Sequence, residues 1–174
     1  MSDKEVKITL EEDLNLDCGT QLKNCQISFK TYGKLNKSKT NAILICHALS
    51  GDQYCCGISP VTKKSGWWNN LVGNRKVIDT NKFFVICSNV IGGCQGSTGP
   101  SSINPQTGKR YDLSFPVITI SDMVKAQVKL VDFLNIKKLF AVIGGSMGGM
   151  QALEWGASFS RRVNAIIPIA TSYR

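Results

Sequence analysis

Leu139-Phe140-Ala141-Val142-Ile143-Gly144-Gly145-Ser146-Met147-Gly148-Gly149-Met150-Gln151-Ala152-Leu153-Glu154-Trp155 is the stretch that decides the fold. Its first five residues form an uninterrupted apolar run, as expected of a strand buried on both faces. From Met150 to Ala157 the chain is rich in good helix formers. Between them, Gly144 to Gly149 reads as a sharp turn containing G-x-S-x-G, in the strand–turn–helix setting that a nucleophile elbow requires. There Gly144 and Gly148, two residues either side of Ser146, let strand and helix approach closely. The Ser146 hydroxyl then projects above the sheet, with a helix N-terminus that favours negative charge nearby. The plainer alternative is a glycine-rich turn of any doubly wound fold, including one that binds phosphate.

Working outward, Ala42–Cys46 and Phe83–Cys87 are two more strand-length apolar runs, and Val163–Ala170 reads as another strand. Cys25 to Tyr32 alternates as a strand and ends at Gly33. Thr119-Ile-Ser-Asp122 resembles a capping box, and Ile120, Met123, Val124, Gln127, Val128, Val131 and Leu134 recur at helical spacing. Residues 120–134 are therefore an amphipathic helix laid on a sheet. Residues 47–64 are loop. Trp67 and Trp68 open a short segment, with a helix as one reading, that ends near Gly73. Residues 91–116 form a long Gly/Ser/Pro/Asn-rich loop, and residues 1–17 an acid-rich flexible or edge segment. Strands alternating with helices imply an α/β fold with a mostly parallel sheet.

Composition narrows the function classes. The chain has 174 residues, about one domain's worth, and 43% are hydrophobic, enough for a buried core. No apolar run exceeds five residues, which excludes a membrane-spanning helix, and no membrane partner is expected. Met1–Glu5 carries no apolar stretch of a secretory signal, so a cytoplasmic protein is expected. The net charge is +9, yet six of the 12 acids lie within the first 17 residues. The lysines are scattered in ones and twos without a basic stripe, so nucleic acid is not expected as a partner. Seven cysteines with no C-x-x-C and a single histidine give no metal site, and Cys46 and Cys87 read as small buried hydrophobes.

That histidine, His47, lies in Cys46-His47-Ala48-Leu49-Ser50-Gly51-Asp52, directly after an apolar strand. With an elbow in the chain, the loop after an early strand supplies one oxyanion-hole N–H and the residue after the nucleophile supplies the other. Leu49 and Met147 are the nominees, each donor stabilising the transition state by about 3 kcal/mol. His47 is open to three roles: a turn residue, the catalytic base, or a brace for the oxyanion loop. The order Ser, acid, His in chains of this kind argues against the base.

His47–Gly51, Gly92–Ser102, Asn104-Pro105-x-Thr107-Gly108, Phe115-Pro116-x-x-Thr119-Ile120-x-Asp122-Met123-Val124-x-x-Gln127 and Gly144–Gln151, in this order and spacing, together resemble the homoserine O-acyltransferase family of α/β-hydrolase fold. The resemblance runs from about residue 25 to the end. It implies ping-pong transfer of an acetyl (or succinyl) group from acyl-CoA through Ser146 to the hydroxyl of L-homoserine, in methionine biosynthesis. No bound cofactor is implied, acetyl-CoA or succinyl-CoA being a co-substrate, and the family suggests a homodimer. Residues 1–24 would be an acidic segment and edge region, and 25–174 the N-terminal part of the α/β-hydrolase domain.

Members of that family are about twice as long. No histidine follows Ser146, and Glu154, in the helix that the elbow launches, is the only carboxylate after it. The acid and base of a triad, the family's lid, its homoserine-clamping arginine and the last strands would lie outside this chain. Residues 1–174 alone would then be inactive and, with uncovered apolar faces, poorly soluble. The Gly92–Ser102 loop would line the pocket entrance. Two other readings stand beside this one: an esterase of the same fold, and a non-catalytic remnant that binds a partner chain.

Overall fold

Residues that alternate across a buried sheet must satisfy two cores at once, and the central strands here do so. The computed structural model describes residues 6–172. Its strands are β1 (Val6–Thr9), β2 (Leu14–Asn15), β3 (Gln21–Leu22), β4 (Gln26–Tyr32), β5 (Ala42–Cys46), β6 (Val72–Gly73), β7 (Ile78–Asp79), β8 (Phe84–Ser88), β9 (Ala141–Gly145) and β10 (Ile166–Ile169). Two helices, α1 (Ile120–Phe133) and α2 (Met147–Ser158), flank β9 in sequence. Leu44 and Cys46 of β5, Ile86 of β8 and Val142 of β9 point to one core with Val124, Leu130, Val131, Ala152 and Trp155 of the helices. Their neighbours Ile43, Ile45, Val85, Cys87, Ala141 and Ile143 point to a second core with Cys55, Val72 and Ile78.

The main sheet has the order β1-β4-β8-β5-β9-β10. β5 pairs in parallel with β8 and β9, and β9 with β10, while β1 and β4 run antiparallel to their neighbours. Right-handed crossovers explain which face each connection covers. The β8-to-β9 and β9-to-β10 steps move the same way and lay α1 and α2 on one face. The β5-to-β8 step moves the opposite way and lays residues 47–83 on the other. Winding therefore reverses at β5, and a ligand crevice is expected at the carboxyl ends of the strands there.

α1 begins at Thr119, whose hydroxyl accepts the Asp122 N–H at 3.1 Å while Asp122 Oδ2 accepts the Thr119 N–H at 3.1 Å. α1 thus starts where the sequence placed it and ends one residue earlier. The elbow segment is displaced in detail. β9 runs on through Gly144 and Gly145, and α2 starts at Met147, three residues before the first strong helix formers.

The Trp67–Gly73 segment is not helical. It is a string of turns closed by Asn69 N–H to Gly66 O and Val72 N–H to Trp68 O, ending in the two-residue β6. Asn69-Asn70 and the flanking glycines favour turns, and the Trp67 indole is drawn off to donate to Asp52 O at 3.0 Å.

The acid-rich N-terminal segment is an edge, and from residue 6 onward it is an ordered one. β1 pairs with β4, and Leu10, Leu14, Leu16 and Leu22 enter the helix-side core. Its acids meet bases of α1: Glu12 pairs with Lys129 at 2.6 Å and Asp17 with Lys125. Lys129 and Lys125 hold the Glu12 and Asp17 carboxyls below their ordinary values. Two of the acids crowded near the start thus dock the segment on α1. Met1–Glu5 lie outside the described residues. No helix among the described residues is long and apolar enough to cross a membrane.

Candidate active site

Register alone gathers the candidate residues. Cys46 is aligned with Ser88 and with Gly144, and Gly145 with Ile169, so the segments after β5, β8, β9 and β10 leave the sheet from one edge. Ser146 stands at the tip of the third, in a backbone conformation of φ 55° and ψ −123°. Non-glycine residues rarely adopt it, and it stores on the order of 1–3 kcal/mol. A turn this tight has no room for side chains beside it. A Cβ on Gly144 would lie 2.1 Å from Gly148 O, and one on Gly148 would lie 2.1 Å from Cys46 O. The two glycines therefore interlock β9, α2 and the end of β5.

Peptide orientation at the two nominated donors is fixed from behind. In a trans peptide the N–H points opposite to the preceding C=O. The Ser146 carbonyl accepts Gly149 N–H at 2.8 Å, Met150 N–H at 3.2 Å and the Thr171 hydroxyl at 2.8 Å. Met147 N–H is turned away from these partners, at a helix start where no carbonyl within the helix can reach it. The Ala48 carbonyl accepts Gly51 N–H at 2.9 Å and is 2.7 Å from His47 Nδ1. That arrangement turns the Leu49 N–H the other way. Leu49 itself is 81% exposed.

His47 is buried at 1% exposure and both ring nitrogens are engaged. Its Nε2 accepts Val90 N–H at 3.1 Å, with the Asn89 amide 3.5 Å away. An accepting Nε2 requires the neutral tautomer with the proton on Nδ1, which donates to Ala48 O. Burial holds the imidazole below its ordinary value. The ring braces the segment after β5 against the segment after β8, and it has no free nitrogen with which to take a proton from Ser146.

Beneath the elbow lies a buried polar group that the sequence does not announce. The Trp155 indole donates to Gln127 Oε1 at 2.8 Å, and Gln127 Nε2 donates to Gln151 Oε1 at 2.6 Å. Gln127 occupies a position in the apolar stripe of α1, and a glutamine inside such a stripe is the one signal of it. Cys46 also faces Gln127 Oε1, at 3.8 Å, and burial raises its thiol to about 12, so it is not a nucleophile. Glu154 accepts the Ser158 hydroxyl at 2.6 Å on the exposed side of α2 and takes no part in the site.

The Gly92–Ser102 loop is packed against β4 in its second half. Ser97 and Thr98 are buried, Ser28 N–H donates to Ser97 Oγ at 2.9 Å, and Gln26 N–H donates to Thr98 Oγ1 at 2.8 Å. It therefore continues the β8 side of β4 beyond the end of β8. A cavity of about 310 Å³ does open beside the His47–Asp52 loop, bordered by Ser50, Asp52, Lys64 and Trp67.

Residues 41–173 match the family described as the alpha/beta hydrolase fold. The chain belongs to the α/β-hydrolase family. Among curated α/β-hydrolase relatives, the homoserine O-acetyltransferase of Pelagibacter ubique is 58% identical over 163 residues, covering 94% of this chain and 44% of the relative. The structure of homoserine O-acetyltransferase from Bacillus anthracis superposes with TM-score 0.90 at 37% identity, over 97% of this chain and 46% of that one. Esterase E22 superposes with TM-score 0.85 at 38% identity, over 92% and 45%. The chain thus spans less than half the length of these relatives. The α/β-hydrolase elbow and its interlocked glycines are in place, and the one histidine, His47, has both ring nitrogens engaged elsewhere.

Proposed function

We propose that this chain carries the nucleophile and oxyanion hole of a homoserine O-acetyltransferase. The observation that carries the reading is Ser146 at φ 55° on an elbow between β9 and α2, in a chain 58% identical to an enzyme of that name. Ser146 Oγ attacks the thioester carbonyl of acetyl-CoA, and its proton passes through a general base to the departing thiolate. Leu49 and Met147 N–H groups hold the oxyanion of each tetrahedral intermediate. The hydroxyl of L-homoserine then attacks the acyl-serine, gives its proton to the same base, and leaves as the O-acetyl ester while Ser146 recovers a proton.

The base and its orienting acid come from polypeptide outside residues 1–174, as do the groups that clamp homoserine. Residues 1–174 alone are accordingly inactive. The working enzyme is cytoplasmic and homodimeric, and it feeds methionine synthesis. The test is made on the polypeptide at the full length of its relatives: acid quench after acetyl-CoA, then peptide mass spectrometry. An acetyl group on the Ser146 peptide, discharged by L-homoserine, is the expected result. Absence of the adduct in a protein that still acetylates homoserine overturns the acyl-serine route.

A second reading, ester hydrolysis, is favoured by the likeness to esterase E22. It shares every residue role except the acceptor. Discharge of the adduct by water as fast as by saturating homoserine would establish it.

A further inference from the structure

The polar group under the elbow has only one possible hydrogen-bond assignment. At one end stands the Trp155 indole, which can only donate, so the Gln127 atom facing it is the oxygen. The Gln127 amide nitrogen must then face the oxygen of Gln151. That leaves the Gln151 nitrogen for two carbonyls, which can only accept: His47 O at 3.4 Å and Met147 O at 3.3 Å. Gln127 is 2% exposed, and Trp155 and Gln151 are fully buried. Water does not compete, and a reversed amide would set oxygen against oxygen in a low-dielectric site.

The far end of this chain of bonds is the point of interest. His47 belongs to the segment after β5 and Met147 to the first turn of α2, and one amide nitrogen holds both. Leu49 follows His47 by two residues, and Met147 itself bears the second nominated donor. We propose that Gln151, oriented by Gln127 and Trp155, is a positioning residue that sets the separation between the two oxyanion donors. The inference rests on the acyl-serine reading above.

Gln151→Met keeps the length of the side chain and removes the amide. In the full-length polypeptide, kcat falls by about tenfold or more while KM for acetyl-CoA stays within about twofold, because the lost alignment matters only where charge develops on the oxygen. Trp155→Phe keeps the ring in the core and removes only the donor that orients the relay. It lowers kcat in the same KM-neutral way by a smaller factor, and it provides the readout if Gln151→Met does not fold. Wild-type kcat in a folded Gln151→Met protein, with Ser146 still acetylated, overturns the positioning role and leaves the acyl-serine reading standing. Failure of the wild type to acetylate Ser146 overturns both.

Discussion

His47 Nε2 accepts the Val90 N–H at 3.1 Å, and this one bond ties the segment that follows β5 to the segment that follows β8. It exists only while the imidazole is neutral. Burial lowers the folded-state value beneath the ordinary 6.5, whereas the unfolded chain titrates at about 6.5. The unfolded state then binds more protons across the interval between the two values. The stabilisation is complete above about pH 6.5 and is lost as pH falls toward the folded value. The urea midpoint of the wild type is expected to hold between pH 7.5 and 6.5 and to drop between pH 6.5 and 5.5, by at most ~1.4 kcal/mol of stability over that one pH step. His47→Gln removes that slope and costs on the order of 2 kcal/mol at pH 7.5. A slope unchanged by the substitution would place its origin elsewhere.

Ser146→Gly separates strain from chemistry. Glycine occupies φ 55°, ψ −123° without a Cβ penalty, so the variant melts higher, by about 1 kcal/mol of stability, while acyl transfer by the full-length polypeptide disappears. Calorimetry alongside an activity assay reads both effects. A lower melting temperature would contradict the strained-elbow account.

Neighbouring glycines respond oppositely to one added methyl. Gly148→Ala forces a Cβ into the Cys46 carbonyl at 2.1 Å, where backbone cannot yield, and should cost more than ~3 kcal/mol or abolish soluble expression. At Gly145 the nearest atom to a Cβ is 3.9 Å away, so Gly145→Ala should stay within about 0.5 kcal/mol of wild type. Chemical denaturation of the two variants decides.

Two charges at the N-terminal arm should differ just as sharply. Asp122 is fully buried, caps α1 and accepts the Asp17 N–H at 2.9 Å. Asp122→Ala strands those donors and should cost on the order of 2 kcal/mol. Lys129, paired with Glu12 in the open, should be replaceable by alanine with little change, and less still in high salt. Hydrogen exchange of β1 amides would show the arm loosened by the first substitution alone.

How much of this was legible beforehand depended on whether the governing force leaves a pattern in the chain. β5 and β8 sit within one residue of their apolar runs, because burial on both faces admits little else. The elbow was readable because its glycines are demanded by contact. Yet the same glycines hid the start of α2: Gly148 and Gly149 look like loop, and only tertiary crowding explains glycine in a first helical turn. The leucines of the arm, Leu10, Leu14 and Leu16, are evenly spaced by twos and fours but are diluted by acids whose partners lie over 100 residues away. Gln127 and Gln151 are the least legible. A glutamine bound at 2.6 Å to another inside the core has the same letter as one in water.

The winding of the sheet also sets a timetable. Ile43 of the central strand pairs with Ala141, so one edge of β5 stays open until nearly a hundred further residues have been made. At a synthesis rate of about 5–20 residues per second that interval lasts roughly 5–20 s. For the first part of it β5, a strand of five buried apolar residues, has neither neighbour, and once β8 is made it has one side covered and the other open. The glycine-bearing strand β9 therefore does more than carry Ser146 out of the sheet: its arrival closes the open side of β5, a row of unpaired backbone groups on which another chain could pair.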